Sequence, residues 1–127
     1  MKKVITTDAA PRPAGPYNQL VVANGFAFSA GFGPQDPATG LVPEGADAQT
    51  RQVLRNVEAA LGAAGLGLGD VVKVTAHLQH LHRDVAAYNA AYTELMPAPY
   101  PVRTTVGSDL ANILVEIDVV AVVPEQD

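Results

Sequence analysis

Residues 100–123 read YPVRTTVGSDLANILVEIDVVAVV, two strand-like runs joined by a short polar segment. In the second run, 114–123, a period of two puts Val115, Ile117, Val119, Ala121 and Val123 on one face and Leu114, Glu116, Asp118, Val120 and Val122 on the other. Both faces are largely aliphatic, so this strand expects cover on each side. The first run carries Arg103, the only Lys or Arg after Arg83, in a segment that also holds Asp84, Glu94, Asp109, Glu116, Asp118, Glu125 and Asp127. This reading sets a lone cation and a buried carboxylate on neighbouring strands. A guanidinium is always charged and presents a planar fork that fits a carboxylate in two parallel hydrogen bonds. A carboxylate among aliphatics either finds a partner or resists ionisation. The residues alone leave two readings open, a structural Arg103–Glu116 ion pair and a site where Arg103 takes an anionic ligand.

Working outward, residues 3–6 form a short strand, and 8–16 an irregular stretch because Pro11, Pro13 and Pro16 forbid regular pairing. Gly15-Pro16 aims Tyr17, which on its own reads as a strand-start aromatic packing on the core with a wet hydroxyl. Residues 20–23 and 26–30 flank Asn24-Gly25, the turn pair of a tight hairpin. A Gly- and Pro-rich loop follows to Gly45 and is long enough to wall a pocket. Asp47 is placed as the cap of a helix to about Ala64, with Leu54, Val57, Leu61 and Ala64 inward, and Gly65 stops it. In the run 71–81, Val72, Val74, Ala76 and Leu78 share one strand face. Asp84 is placed as the cap of a second helix, striped by Val85, Tyr88, Tyr92 and Leu95 and ended by Pro97, Pro99 and Pro101. Asn89 lies one step off that stripe and either faces water or spends its amide on something specific. The spacing of His77, His80 and His82 is a poor metal signature without acidic or thiolate neighbours, and no metal is expected.

The order of elements implies an α+β domain spanning residues 1–127, with a mostly antiparallel six-stranded sheet and both helices on one face. Two helices leave the second face of the final strand uncovered, which points to another copy of the chain and to clefts between subunits. The 127 residues suit one domain, and a net charge of −5 with no clustered basic surface argues against nucleic acid as a partner. The chain has no Cys, so disulfides and thiolate chemistry are excluded, and a cytoplasmic location is expected. No stretch has the length of a membrane span or the apolar core of a signal peptide, so no membrane partner is expected.

APRPAGPYNQ near the start, the Tyr88-Asn89 to Tyr92 segment, and PVRTTVGSDLANILVEIDVVAV together resemble the reactive-intermediate deaminase family, also called Rid or YjgF. The match runs in order along nearly the whole chain, and its most specific part is Pro101-x-Arg103 with Glu116-Ile117. The resemblance implies a chorismate-mutase-like fold, a homotrimer with a site at each interface, no cofactor, and hydrolysis of 2-imino or enamine acids to 2-keto acids and ammonia. It also implies that Arg103 holds the substrate carboxylate, that Glu116 positions or activates the attacking water, and that Tyr17 and Asn89 line the pocket. Well-known members read Ser-Gly-Gln where this chain has Ala30-Gly31-Phe32, and often carry Cys where it has Thr105. Those substitutions bear on substrate choice, so Ala30, Gly31, Phe32 and Thr105 join the substrate-binding candidates. The alternative is a trimeric binding protein that captures a small carboxylate on Arg103 and turns nothing over. A ribonuclease is disfavoured by the acidic charge and the lack of a basic aromatic surface.

Overall fold

The structure, a computed structural model, describes residues 1–124. Six strands form one sheet: β1 (Lys3–Ile5), β2 (Leu20–Ala23), β3 (Phe26–Ser29), β4 (Val71–Leu78), β5 (Val102–Gly107) and β6 (Val115–Val122), in the spatial order β1-β2-β3-β6-β4-β5. All neighbours are antiparallel except β4 and β5, which are parallel and joined through helix α2 (Leu81–Leu95). Helix α1 (Ala46–Gly62) lies beside α2 on the same face of the sheet.

The β2–β3 hairpin closes on Asn24 and Gly25, at φ 51° and 81°. Two successive left-handed residues give the turn whose twist matches that of the strands. The core lies between sheet and helices, where Val53, Leu54, Val57 and Leu61 of α1 meet Val115, Ile117 and Val119 of β6 and Val74, Ala76 and Leu78 of β4. The alternation expected for β6 holds, with Val115, Ile117, Val119 and Ala121 buried and Glu116, Asp118 and Val120 half-buried on the opposite face.

Three expectations need correcting. Neither Asp47 nor Asp84 caps a helix: the N-caps are Gly45 and His80, neither bonding through a side chain. The two acids sit inside the first turns, where they still meet the positive end of the helix dipole. Asp47 reaches Arg51 at 3.5 Å, and Asp84 takes a two-pronged hydrogen bond from Arg83. On β4, Val72 is exposed and not in the inward row, because a bulge between Val71 and Lys73 shifts the register against β6. The strands of Arg103 and Glu116 are also not neighbours, since β4 runs between β5 and β6.

Loops are fastened by buried amides. Gln19, 2% exposed, accepts from the Thr7 N–H and donates to the Thr7, Ala10 and Pro11 carbonyls, pinning the proline-rich segment onto β2. Asn56 of α1 donates to the Gly33 and Gln35 carbonyls, and Gln49 bridges the Pro43 carbonyl and the Leu114 N–H. Each amide satisfies backbone groups that a strand ladder would otherwise have paired.

Candidate active site

Register decides which face each candidate occupies. Arg103 pairs with Val74, which pairs with Val119, and Thr105 pairs with Ala76, which pairs with Ile117. Arg103 and Thr105 therefore stand on the helix side of the sheet. Glu116 pairs with His77, in the row between those inward residues, and points to the opposite, open face. Within one chain the guanidinium and the carboxylate are two strands apart, about 10 Å in the plane of the sheet, and on opposite faces.

On the Glu116 side, Tyr17, Ala30, Gly31 and Glu116 form a wall shared by two cavities. One, about 640 Å³, is also lined by Asn18, Val21, Phe28 and Ser29. The other, about 490 Å³, is bounded by the proline-rich segment and the loop after β3. Tyr17 is 48% exposed, and its hydroxyl accepts the Ala14 N–H at 3.0 Å, so the ring stands at the rim instead of in the core. A Cβ at Gly31 would come within 3.0 Å of the Glu116 carboxyl, so this glycine lets the acid lie close against the backbone. Phe32 exchanges backbone hydrogen bonds with Ile117 and buries its ring in the core at 4% exposure. It contributes backbone, and little side chain, to the cavity edge.

On the other side Arg103 fronts a cavity of about 250 Å³ with Asn89, Tyr92, Thr93, Tyr100 and Pro101. It makes no ion pair among the described residues, and its guanidinium carbon lies 5.2 Å from the Tyr88 ring centre and 4.7 Å from that of Tyr92. Around it, Tyr88 Oη, Asn89 Oδ1, Tyr92 Oη and Thr105 Oγ1 are buried without a hydrogen-bond partner among the described residues. Such orphaned groups are rare in folded proteins, and two of them, on Asn89 and Tyr92, belong to residues that line the cavity beside Arg103, an arrangement suited to a polar ligand. Burial pushes the Tyr88 phenol up to about 12, against the opposing pull of Arg103. Burial likewise raises Tyr92, so both rings stay neutral through the physiological range.

The structure thus gathers Tyr17, Ala30, Gly31 and Glu116 at the open-face cavities and Asn89 and Arg103 at the cavity on the helix side, with Thr105 two residues along β5 from Arg103 and outside that lining. Gln19 and Tyr88 were not singled out as site residues from the sequence. The clue to Gln19 was an amide entering a strand after three prolines, and the clue to Tyr88 was a second Tyr one helical turn before Tyr92. The histidines do not converge: His77 Nδ1 lies 2.7 Å from Ser108 Oγ, and its Nε2 is 3.8 Å from Asp118. Among the described residues no group of three or more His, Asp or Glu is placed to hold a metal ion.

The family model described as Endoribonuclease L-PSP matches residues 7–123. A RutC family protein of Pyrococcus horikoshii is 44% identical over 124 residues, covering 95% of this chain and 98% of the relative. A 2-iminobutanoate/2-iminopropanoate deaminase of Salmonella typhimurium is 40% identical over 129 residues, covering 96% and 98%. The crystal structure of E. coli TdcF with bound serine superposes with a TM-score of 0.89 at 36% identity, covering 94% of this chain and 98% of that one.

Proposed function

This chain belongs to the Endoribonuclease L-PSP family, also known as Rid or YjgF, and on that premise we propose that it is a hydrolytic deaminase of reactive 2-imino acids and their enamine tautomers. Its products are 2-keto acids and ammonia, and its site forms between copies of a homotrimer. The observation that carries the reading is Arg103, a cation without an acidic partner among the described residues, facing a cavity that Asn89 and Tyr92, each with an orphaned polar atom, help to line. A small carboxylate satisfies it. Relatives named as 2-iminobutanoate/2-iminopropanoate deaminases support the substrate class, and serine bound to TdcF supports a ligand of amino-acid size.

The chemistry needs little more than orientation. A protonated imine carbon is already electrophilic, so water adds once the carboxylate is fixed and a proton acceptor stands beside the water. Glu116 takes the proton as the C–O bond forms, giving a carbinolamine, and returns it to nitrogen as the C–N bond breaks. Ammonia leaves with both bonding electrons while the carbinolamine hydroxyl gives its proton to Glu116 and becomes the carbonyl of the keto acid, and that proton departs with ammonia as ammonium. Tyr17, Ala30 and Gly31 line one side of the ligand, and Asn89 and Thr105 the other.

Arg103 and Glu116 point to opposite faces of one sheet, and in this reading a second copy brings the two together. Its seat is the open face, where Val4, Val21, Phe28 and Val120 form a continuous apolar row across four strands. An unpartnered apolar surface of this extent favours association.

The test generates imino acid in place with an amino-acid oxidase or a threonine dehydratase and follows semicarbazone trapping against keto acid. The wild-type protein should speed imine decay. Glu116→Gln should keep keto-acid binding and lose turnover, whereas Arg103→Ala should lose both. An unchanged decay rate with every imino acid, alongside Arg103-dependent keto-acid binding, would instead identify a carboxylate-binding protein.

A further inference from the structure

We propose that Tyr88, with Tyr92, forms an aromatic seat that fixes the plane of the Arg103 guanidinium, making Tyr88 a positioning residue for the ligand carboxylate. The inference rests on the functional reading above and adds a residue to it. Tyr88 and Tyr92 are four apart on α2, hence on one face of the helix, with ring centres 5.7 Å apart and a tilt of 43°. Tyr88 is fully buried and Tyr92 is 5% exposed, so neither ring can swing away. The guanidinium lies within cation–π range of both.

An arginine side chain on an edge strand has several rotatable bonds and must be held if it is to bind in two prongs. A carboxylate partner would hold it but would consume the N–H donors and compete with an anionic ligand. Aromatic faces grip the flat surface of the cation and leave its edge donors available. Buried tyrosines normally satisfy their hydroxyls, yet Tyr88 Oη and Tyr92 Oη have no partner among the described residues. The Tyr88 hydroxyl approaches Arg103 and Thr105 without a well-formed hydrogen bond, so the contact that places both rings is the guanidinium over their faces. The ring, and not the hydroxyl, is the working part of Tyr88.

The test compares wild type, Tyr88→Phe and Tyr88→Leu for 2-ketobutyrate affinity and for KM and kcat of imine hydrolysis, with folding checked by melting and mass. Tyr88→Phe, which keeps the ring, should lose far less affinity than Tyr88→Leu. Tyr88→Leu should weaken affinity and raise KM about tenfold, the order of a partly desolvated cation–π contact, while kcat moves little because the grip acts equally on ground and transition states. Unchanged affinity in a folded Tyr88→Leu protein, or an equal loss in Tyr88→Phe, would overturn the proposal. Should Tyr88→Leu fail to fold, the wild-type NMR spectrum decides: the Arg103 Nε–H should be displaced upfield by the rings, away from exposed Arg12 and Arg55, and coincidence with them would refute the seat. If the wild type hydrolyses no imine, the functional reading fails while that spectrum still tests the seat.

Discussion

Glu116 owes its position to a neighbour with no side chain. The acid lies along Gly31 so closely that a methyl group there would meet its carboxyl at 3.0 Å. In Gly31→Ala the carboxyl should be displaced by a fraction of an ångström, lowering turnover about ten- to a hundredfold with keto-acid affinity kept, as expected when a catalytic group is misplaced. Steady-state kinetics beside a binding titration would check this, and full activity would detach Glu116 from the chemistry. Tyr88 gives a pH prediction. Its folded pKa, about 12, lies above the ordinary 10.0, so between these values the native state keeps a proton that the unfolded chain has lost. Stability from this group is thus intact below pH 10 and falls as pH rises toward 12, by about 2–3 kcal/mol at most. Melting from pH 9 to 12 should show wild type losing stability more steeply than Tyr88→Phe; parallel curves would contradict the burial argument. At this scale the sequence was informative where a residue was isolated. Arg103 stood out because no other cation follows Arg83, but its aromatic neighbours did not, since contacts between a strand and a helix leave no local pattern.

Elements followed their periodicity, and departures came from tertiary pairing. The hairpin was legible because Asn24-Gly25 states its backbone geometry outright, and β6 because its alternation is unbroken. The exposure of Val72 was hidden, because a bulge depends on the partner strand. The intervening β4 was hidden too: parity along β5 and β6 assigns faces within each strand but says nothing about which strands touch. The helices start earlier than their acids suggest, α1 at the Gly45 cap and not Asp47, α2 a full turn ahead of Asp84 at His80, since an acid suits a first turn as well as a cap. The turn offers a direct check. Gly25 sits at φ 81° with open space around its Cα, so Gly25→Ala meets no clash and costs only backbone strain. It should destabilise the fold by about 1 kcal/mol, a few degrees in Tm, with activity unchanged at 25 °C. A neutral effect on melting would mean the turn relaxes.

For the whole molecule, the open sheet face is the feature to explain. Phe26 and Phe28 face outward at 41% and 43% exposure while small Ala27 fills the inward position between them, a poor arrangement for a lone monomer. Sedimentation should give the mass of three chains, and Phe28→Glu should lower both mass and activity, because a charge in an apolar interface is costly to desolvate. Activity retained by a folded Phe28→Glu monomer would place the whole site within one chain. The sequence pointed to a second copy and to clefts between subunits through the aliphatic second face of β6, but not to Arg103 and Glu116 standing on opposite faces of one sheet, which only the register of β4 with both strands reveals.

The most direct test is complementation between two inactive variants, Arg103→Ala and Glu116→Gln, co-expressed with different tags so that mixed oligomers can be isolated and their composition verified. If Arg103 of one copy works with Glu116 of the next, each mixed closed trimer, whichever variant is in excess, pairs an intact Arg103 with an intact Glu116 at about one third of its interfaces. Imine hydrolysis should return to about that fraction of wild type. Mixed trimers as inactive as their parents would contradict a site shared between copies.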